Sequence, residues 1–124
     1  MSDLRTKTLR LRDLILATLN NYTVYYGQAP ESAKYPYAVI EVRPYNTTVI
    51  PHDGIMEINV WDSYKTHSRA DALMDNIEAT LGEGNYYSDT YASFRAFSGQ
   101  RQYVEDNDKQ IKRVREQFQI RFNY

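Results

Sequence analysis

Apolar residues recur along this chain first at helical and then at strand spacing. Drawn at about 100° per residue, Leu4, Leu11, Leu14, Ile15, Thr18 and Leu19 share one face. This predicts an N-terminal helix capped by Ser2 or Asp3 and ending near Asn20, because asparagine tolerates the left-handed conformation that closes helices. Leu9 and Leu16 fall on the opposite side, among Arg5 and Arg12. They are either buried between sheet and second helix or an apolar strip for a partner.

Strand-like patterns follow. "TVYYG" reads as a short strand and "QAPESAK" as a loop. In "KYPYAVIEV" (Lys34 to Val42), Ala38, Ile40 and Val42 alternate with Tyr37, Val39 and Glu41, and Pro36 sits where a strand can begin without an N–H. Pro44 predicts the end of that strand. "RPYNTTVIPHD" (Arg43 to Asp53) then reads as a long, mobile connection displaying Tyr45, Val49 and Ile50. "GIMEINVWD" resumes the alternation, with Met56, Ile58 and Val60 against Glu57, Asn59 and Trp61, and the two strands read as an antiparallel pair.

A second helix is predicted from Thr66 or Ser68. Ala70, Leu73, Met74, Ile77 and Leu81 form its stripe, Ser68 with Asp71 resembles a capping box, and Gly82 fits the position after its end. The last third reads as one long hairpin turning at Asp106–Asp108. Its return strand sets Val114, Phe118, Ile120 and Phe122 against Arg113, Arg115, Gln117, Gln119 and Arg121. That turn places Phe94 opposite Ile120 and Ala96 opposite Phe118, with Gly99 marking a bulge. The expected fold is a single α+β domain over residues 1–124, in the order α-β-β-β-α-β-β. Its mostly antiparallel sheet has about five strands, with two helices packed on one face.

Composition narrows the function classes. Ile, Leu, Val and Phe make up only roughly a fifth of the chain, a lean core. Against this stand 12 tyrosines, which either decorate a small sheet or supply an interface. A net charge of −1 offers no long-range attraction to nucleic acid or membrane in general. Without cysteine there is no disulfide framework or thiol nucleophile. The N-terminal stretch lacks a signal-like apolar region, and no apolar run nears the ~20 residues that cross a bilayer. The reading is a soluble protein, cytosolic when made.

Candidate chemistry is sparse. His52 and His67 have no second ligand at metal spacing, and "PHDG" (Pro51 to Gly54) reads as a turn rather than a base–carboxylate pair. "GEG" (Gly82 to Gly84) follows a helix, the wrong end for cradling phosphate. Glu31, Glu41, Glu57, Asp75 and Glu78 read as solvated. Lys109, Lys112, Arg113, Arg115 and Arg121 form the basic concentration. The arginine stripe has three readings: a solvated outer face that discourages edge pairing, a contact with nucleic-acid phosphates, or a contact with a neighbouring subunit. No catalytic site, metal site or cofactor site emerges.

In order along nearly the whole chain, "TLRLRDLILATLNN", "YPYAVIEV", "GIMEINVWDSYKT", "SRADALMDNIEATL" and "RVREQFQIRF" resemble the tail terminator family of long-tailed bacteriophages, also called tail-completion or tail-to-head joining proteins. The resemblance implies a small structural subunit without catalytic residues or cofactor. Such subunits form a ring, usually described as hexameric, that caps the tail tube, stops its growth and meets the head connector. It implies a protein made in the host cytoplasm, monomeric in free solution, and placed at the head-proximal end of the tail in the virion. Its partners would be further copies of itself, the tail tube protein and a head connector or head-completion protein, with DNA passing but not specifically bound, and no membrane. Leu9, Leu16, Tyr45, Val49, Ile50, Arg113, Arg115 and Arg121 are the candidate subunit or tube contacts. The alternatives are another head–tail connector component, or a nucleic-acid-contacting module in the DNA channel using the arginine stripe.

Overall fold

A computed structural model describes residues 5–124. Its elements are α1 (Lys7–Thr18), β1 (Val24–Tyr26), β2 (Tyr37–Asn46), β3 (His52–Asp62), α2 (Ser68–Leu81), β4 (Tyr87–Ser88), β5 (Ser93–Phe97), β6 (Arg101–Val104) and β7 (Lys112–Asn123). The helix expected to open at Ser2 or Asp3 instead has Thr6 as its cap, whose hydroxyl accepts from the Leu9 N–H at 3.3 Å; Ser2, Asp3 and Leu4 lie outside the described residues.

The sheet departs from the expected mostly antiparallel, roughly five-stranded arrangement. It is a mixed 7-stranded sheet ordered β1-β2-β3-β7-β5-β4, with β6 also pairing β7. β1 runs parallel to β2, Val24 beside Ala38, because residues 27–36 carry the chain back to the end from which β1 started. Alternation is the same for either strand direction, so a three-residue strand gives no sign of this in sequence.

The expected terminal hairpin is broken. β5 pairs Phe94 with Phe122 and Ala96 with Ile120, while β6 pairs Arg101 with Glu116 and Tyr103 with Val114. The predicted partners are therefore displaced by two positions. The connection spans residues 105–111 rather than a turn at Asp106–Asp108, and the register slips by one between β5 and β6, around Gly99. A Cβ at Gly99 would collide with the Gln117 carbonyl, so that crossing needs glycine. In β5 the displacement is even, and the inward faces survive it.

Pro44 does not end β2. β1 covers β2 only from Ala38 to Ile40, and the Val42 N–H donates to the Tyr26 hydroxyl at 3.2 Å. Beyond that point, among the described residues, the outer edge has no strand to receive the N–H that proline lacks. The register shifts between Pro44 and Asn46, and Gly54 opposite lets the Arg43 carbonyl approach to 3.0 Å of where a Cβ would stand. The long connection expected from Arg43 to Asp53 thus contracts to residues 47–51.

One core forms on one side of the sheet. Ala38, Ile40, Met56, Ile58, Val60, Val114, Phe118, Ile120 and Phe122 meet Leu11, Leu14, Ile15 and Leu19 from α1, and Ala70, Met74, Ile77 and Leu81 from α2. α2 lies over β3, β7 and β5, whereas α1 touches β1 and also β4 and β5, bridging the two ends of the sheet. The proposed capping box is not made. His67 is the α2 cap and contributes no side-chain bond, and Asp71 turns instead to Arg101 and the Tyr103 hydroxyl.

That turn belongs to a polar cluster holding β6. Arg101 pairs with Glu116 at 2.8 Å, Glu78 at 2.7 Å, Asp75 at 2.8 Å and Asp71 at 3.3 Å. Glu116 is 1% exposed, and burial, with the nearby Glu78 carboxylate, pushes its pKa up to about 7 despite Arg101. The folded state therefore binds this proton more tightly than the unfolded chain. The resulting stability is fully present below the ordinary glutamate pKa and is lost as pH rises through about 7. Between pH 5 and pH 8 the contribution of this group falls. Denaturant titrations should show that slope, and Glu116→Gln should flatten it; an unchanged slope would clear Glu116 of the effect.

Candidate functional site

Among the described residues no helix covers the other side of the sheet, since the buried residues of both helices join one core. The outward residues are Tyr37, Val39, Glu41 and Arg43 on β2, then Asp53, Ile55, Glu57, Asn59 and Trp61 on β3. β7 adds Arg113, Arg115, Gln117, Gln119 and Arg121, and β5 adds Arg95. Arg113, Arg115 and Arg121 do share this face, but each has a partner. Arg115 and Arg43 lie 3.4 Å and 3.2 Å from Glu57, and Arg121 lies 3.3 Å from Asp53. Arg113 donates to Asn59 at 3.0 Å and covers Trp61, its guanidinium 5.0 Å from the ring centre. Trp61 stacks on Tyr37 at 5.6 Å, Tyr37 on Tyr35 at 5.5 Å, and Tyr25 meets Tyr37 edge-on. Several tyrosines of this chain thus form an open aromatic row capped by an arginine. Glu57, expected to be solvated, is instead held between two arginines.

Toward the β2–β3 turn the face becomes apolar. Ile50 is 72% exposed, Tyr45 61% and Val49 56%, and the Tyr45 hydroxyl meets the Gln119 amide. Beside them Pro51, Tyr86, Arg95 and Arg121 line a shallow hollow. Arg95 and Arg121 stand directly opposite each other across β5 and β7, a like-charge pair that disfavours an isolated sheet. Arg95 is steadied by the Gly84 carbonyl at 2.9 Å and by the Tyr86 ring. The sequence reading missed Arg95 and Tyr86. Arg95 sits between the buried Phe94 and Ala96, and the correct β5–β7 register alone would have revealed the residue opposite it.

Leu9 and Leu16 lie apart from this face, half-buried on α1, and neither belongs to the core nor packs against it. Their burial between sheet and second helix is therefore disfavoured. Changing both to serine should lower the unfolding free energy by less than about 1 kcal/mol, as for surface positions. A drop of several kcal/mol in a denaturant titration would restore the buried reading.

The histidines serve packing. His52 is the first residue of β3 rather than part of a turn; its Nδ1 lies 2.8 Å from the Val49 carbonyl, and its ring packs on Phe122 and Tyr124. His67 stacks on Tyr103 at 3.9 Å. Among the described residues no group of histidines and carboxylates is placed to hold a metal ion. The arrangement offers arginine, tyrosine, tryptophan and an apolar turn on an open sheet, the residue types that dominate protein contacts.

No protein-family model and no curated protein matches the sequence. Solved structures do share the fold. A chain in "Virion of native gene transfer agent (GTA) particle" superposes with a TM-score of 0.63 at 14% identity, covering 94% of this chain and 90% of that one. A second solved chain superposes with a TM-score of 0.60 at 15% identity, over 94% of this chain and 89% of its own. This chain has the fold of a gene transfer agent virion subunit.

Proposed function

We propose that this protein is a structural subunit of a phage-like particle, and within it a tail terminator. It assembles as a ring on the last layer of the tail tube, stops elongation and presents the surface that meets the head connector. The observation that carries the reading is the fold shared, over 94% of this chain, with a chain of a gene transfer agent virion. The order of motifs along the sequence supports the finer role, as does an open face rich in arginine and aromatic side chains. The protein acts by binding, without catalysis or cofactor. Its place is the head-proximal end of the tail, reached by assembly from solution; among the described residues no helix is long and apolar enough to cross a membrane.

A terminator must stay dispersed until a tube end provides a template, so its self-contacts are modest in free solution. The turn at residues 47–51, with Val49 and Ile50 exposed, is a compact contact point for the tube or a neighbour. Deleting the gene from a phage-like element that carries it should leave tails overlong or unable to join heads, as seen by electron microscopy. Infectious or transducing particles of normal length without the protein would end the proposal.

A further inference from the structure

We infer that the uncovered sheet face docks onto the α2 flank of a second copy of this chain, basic surface against acidic surface. The inference deepens the ring reading and rests on it for the second copy as neighbour.

Three observations carry it. On the open face Arg43, Arg95, Arg113, Arg115 and Arg121 outnumber Glu41, Asp53 and Glu57, and of the opposed Arg95 and Arg121 it is Arg121 that pairs with Asp53, while Arg95 rests on the Gly84 carbonyl and the Tyr86 ring. The α2 flank has the reverse imbalance: Asp71, Asp75 and Glu78 converge on Arg101, which also pairs with the buried Glu116 of β7, and Glu83 stands just beyond the helix. Asp75 keeps 68% of its side chain exposed while paired. A chain of net charge −1 thus carries opposite surpluses on two surfaces.

The third observation is their placement. α2 is occupied on its other flank by Tyr22, whose hydroxyl bonds Thr80 at 2.7 Å and the Asn76 carbonyl at 3.2 Å. The acidic flank points away from that contact, and the basic face lies on the side of the sheet that both helices leave bare. Neither surface can satisfy the other within one molecule. Contact between two different surfaces of identical chains is heterologous, so each copy offers both and the assembly continues until it closes or extends. The bare face also carries Tyr37 and Trp61, anchors of the type that dominate interfaces.

The test uses the full chain in sedimentation velocity over a range of concentrations at low and high salt. The chain is expected to sediment as a monomer when dilute and to show self-association at the high end of the concentration range, less so as salt rises. Arg95→Glu with Arg121→Glu, and separately Asp75→Lys with Glu83→Lys, should each weaken it about tenfold or more while leaving thermal melting near that of the parent. All four positions lie outside the core, and Arg101 keeps Asp71, Glu78 and Glu116 as partners. Arg95→Glu alone replaces the first pair if that variant melts early. Mixing the two reversed proteins should restore association, because each contact then again joins opposite charges. Association unmoved by either reversal, or not restored on mixing, overturns the docking; tail-tube capping by those same variants would show that the virion reading survives it. A parent that never self-associates overturns the docking as well, and the ring reading falls with it if tubes are not capped. Salt-sensitive binding to duplex DNA lost with the arginine reversal, without self-association, would assign the face to nucleic acid instead.

Discussion

Phe118→Ala is expected to lower the unfolding free energy by about 3–5 kcal/mol, the range for emptying an aromatic site in a packed core. Phe118 is 1% exposed, lies opposite Met56 on β3 and joins the cluster that α2 covers. β7 is flanked by β3 on one edge and by β5 and β6 on the other, so the walls around the cavity are hydrogen-bonded and cannot close in freely. In a lean core this is a large share of the total stability. A denaturant titration reads the loss directly; a change below about 1 kcal/mol would mean that the inward face of β7 has been misassigned.

Arg101→Ala comes next, at about 2–4 kcal/mol, for a different reason. The arginine is the shared counter-ion of Glu116, Asp71, Asp75 and Glu78, and its removal leaves the buried Glu116 charge beside three others. Breaking one side of a buried pair costs more than the pair contributes, because the orphaned charge stays desolvated. Part of the loss is relieved if Glu116 takes up a proton, so the variant should be least impaired at low pH. Adding Glu116→Gln should recover part of the stability at pH 8, a coupling that a double-mutant cycle isolates. If the two changes are simply additive, the cluster is not acting as a unit.

These two sites differ in how far the sequence revealed them. The inward assignment of Phe118 followed from alternation along β7, as did those of Ala38 and Ile40 on β2 and Met56, Ile58 and Val60 on β3, because one buried face fixes the parity of a strand. The α2 stripe was legible for the matching reason at helical period. Pairing partners were less so: Gly99 did mark the irregularity between β5 and β6, but parity is blind to an even slip, so the two-residue displacement of β5 and the wide turn escaped it. Pro44 misled because its effect depends on whether a neighbour needs its N–H. Arg101 was invisible for a related cause. Asp71, Asp75 and Glu78 stand at helical spacing and face one flank, which marks an acidic stripe, but only the β6 register brings an arginine to it. Arg113, Arg115 and Arg121 were placed together on one face by period two alone, while the partners that hold them, Asn59, Glu57 and Asp53, come from β3.

The position of β7 also bears on how the chain folds in time. It is the last strand in the sequence, yet it sits between β3 and the β5–β6 pair, and α1 from the opposite end of the chain must reach β4 and β5 to close the sheet. The β2–β3 hairpin is local, but the contacts that close the sheet, β3 with β7 and α1 with β4 and β5, join segments far apart in sequence. Loops must be closed before burial rewards them, which places the chain among high-contact-order proteins that fold in roughly milliseconds to seconds rather than microseconds. Until β7 docks, one whole edge of β3 stands open beside the apolar residues of β2 and β3, the kind of unpaired edge that invites pairing with another chain.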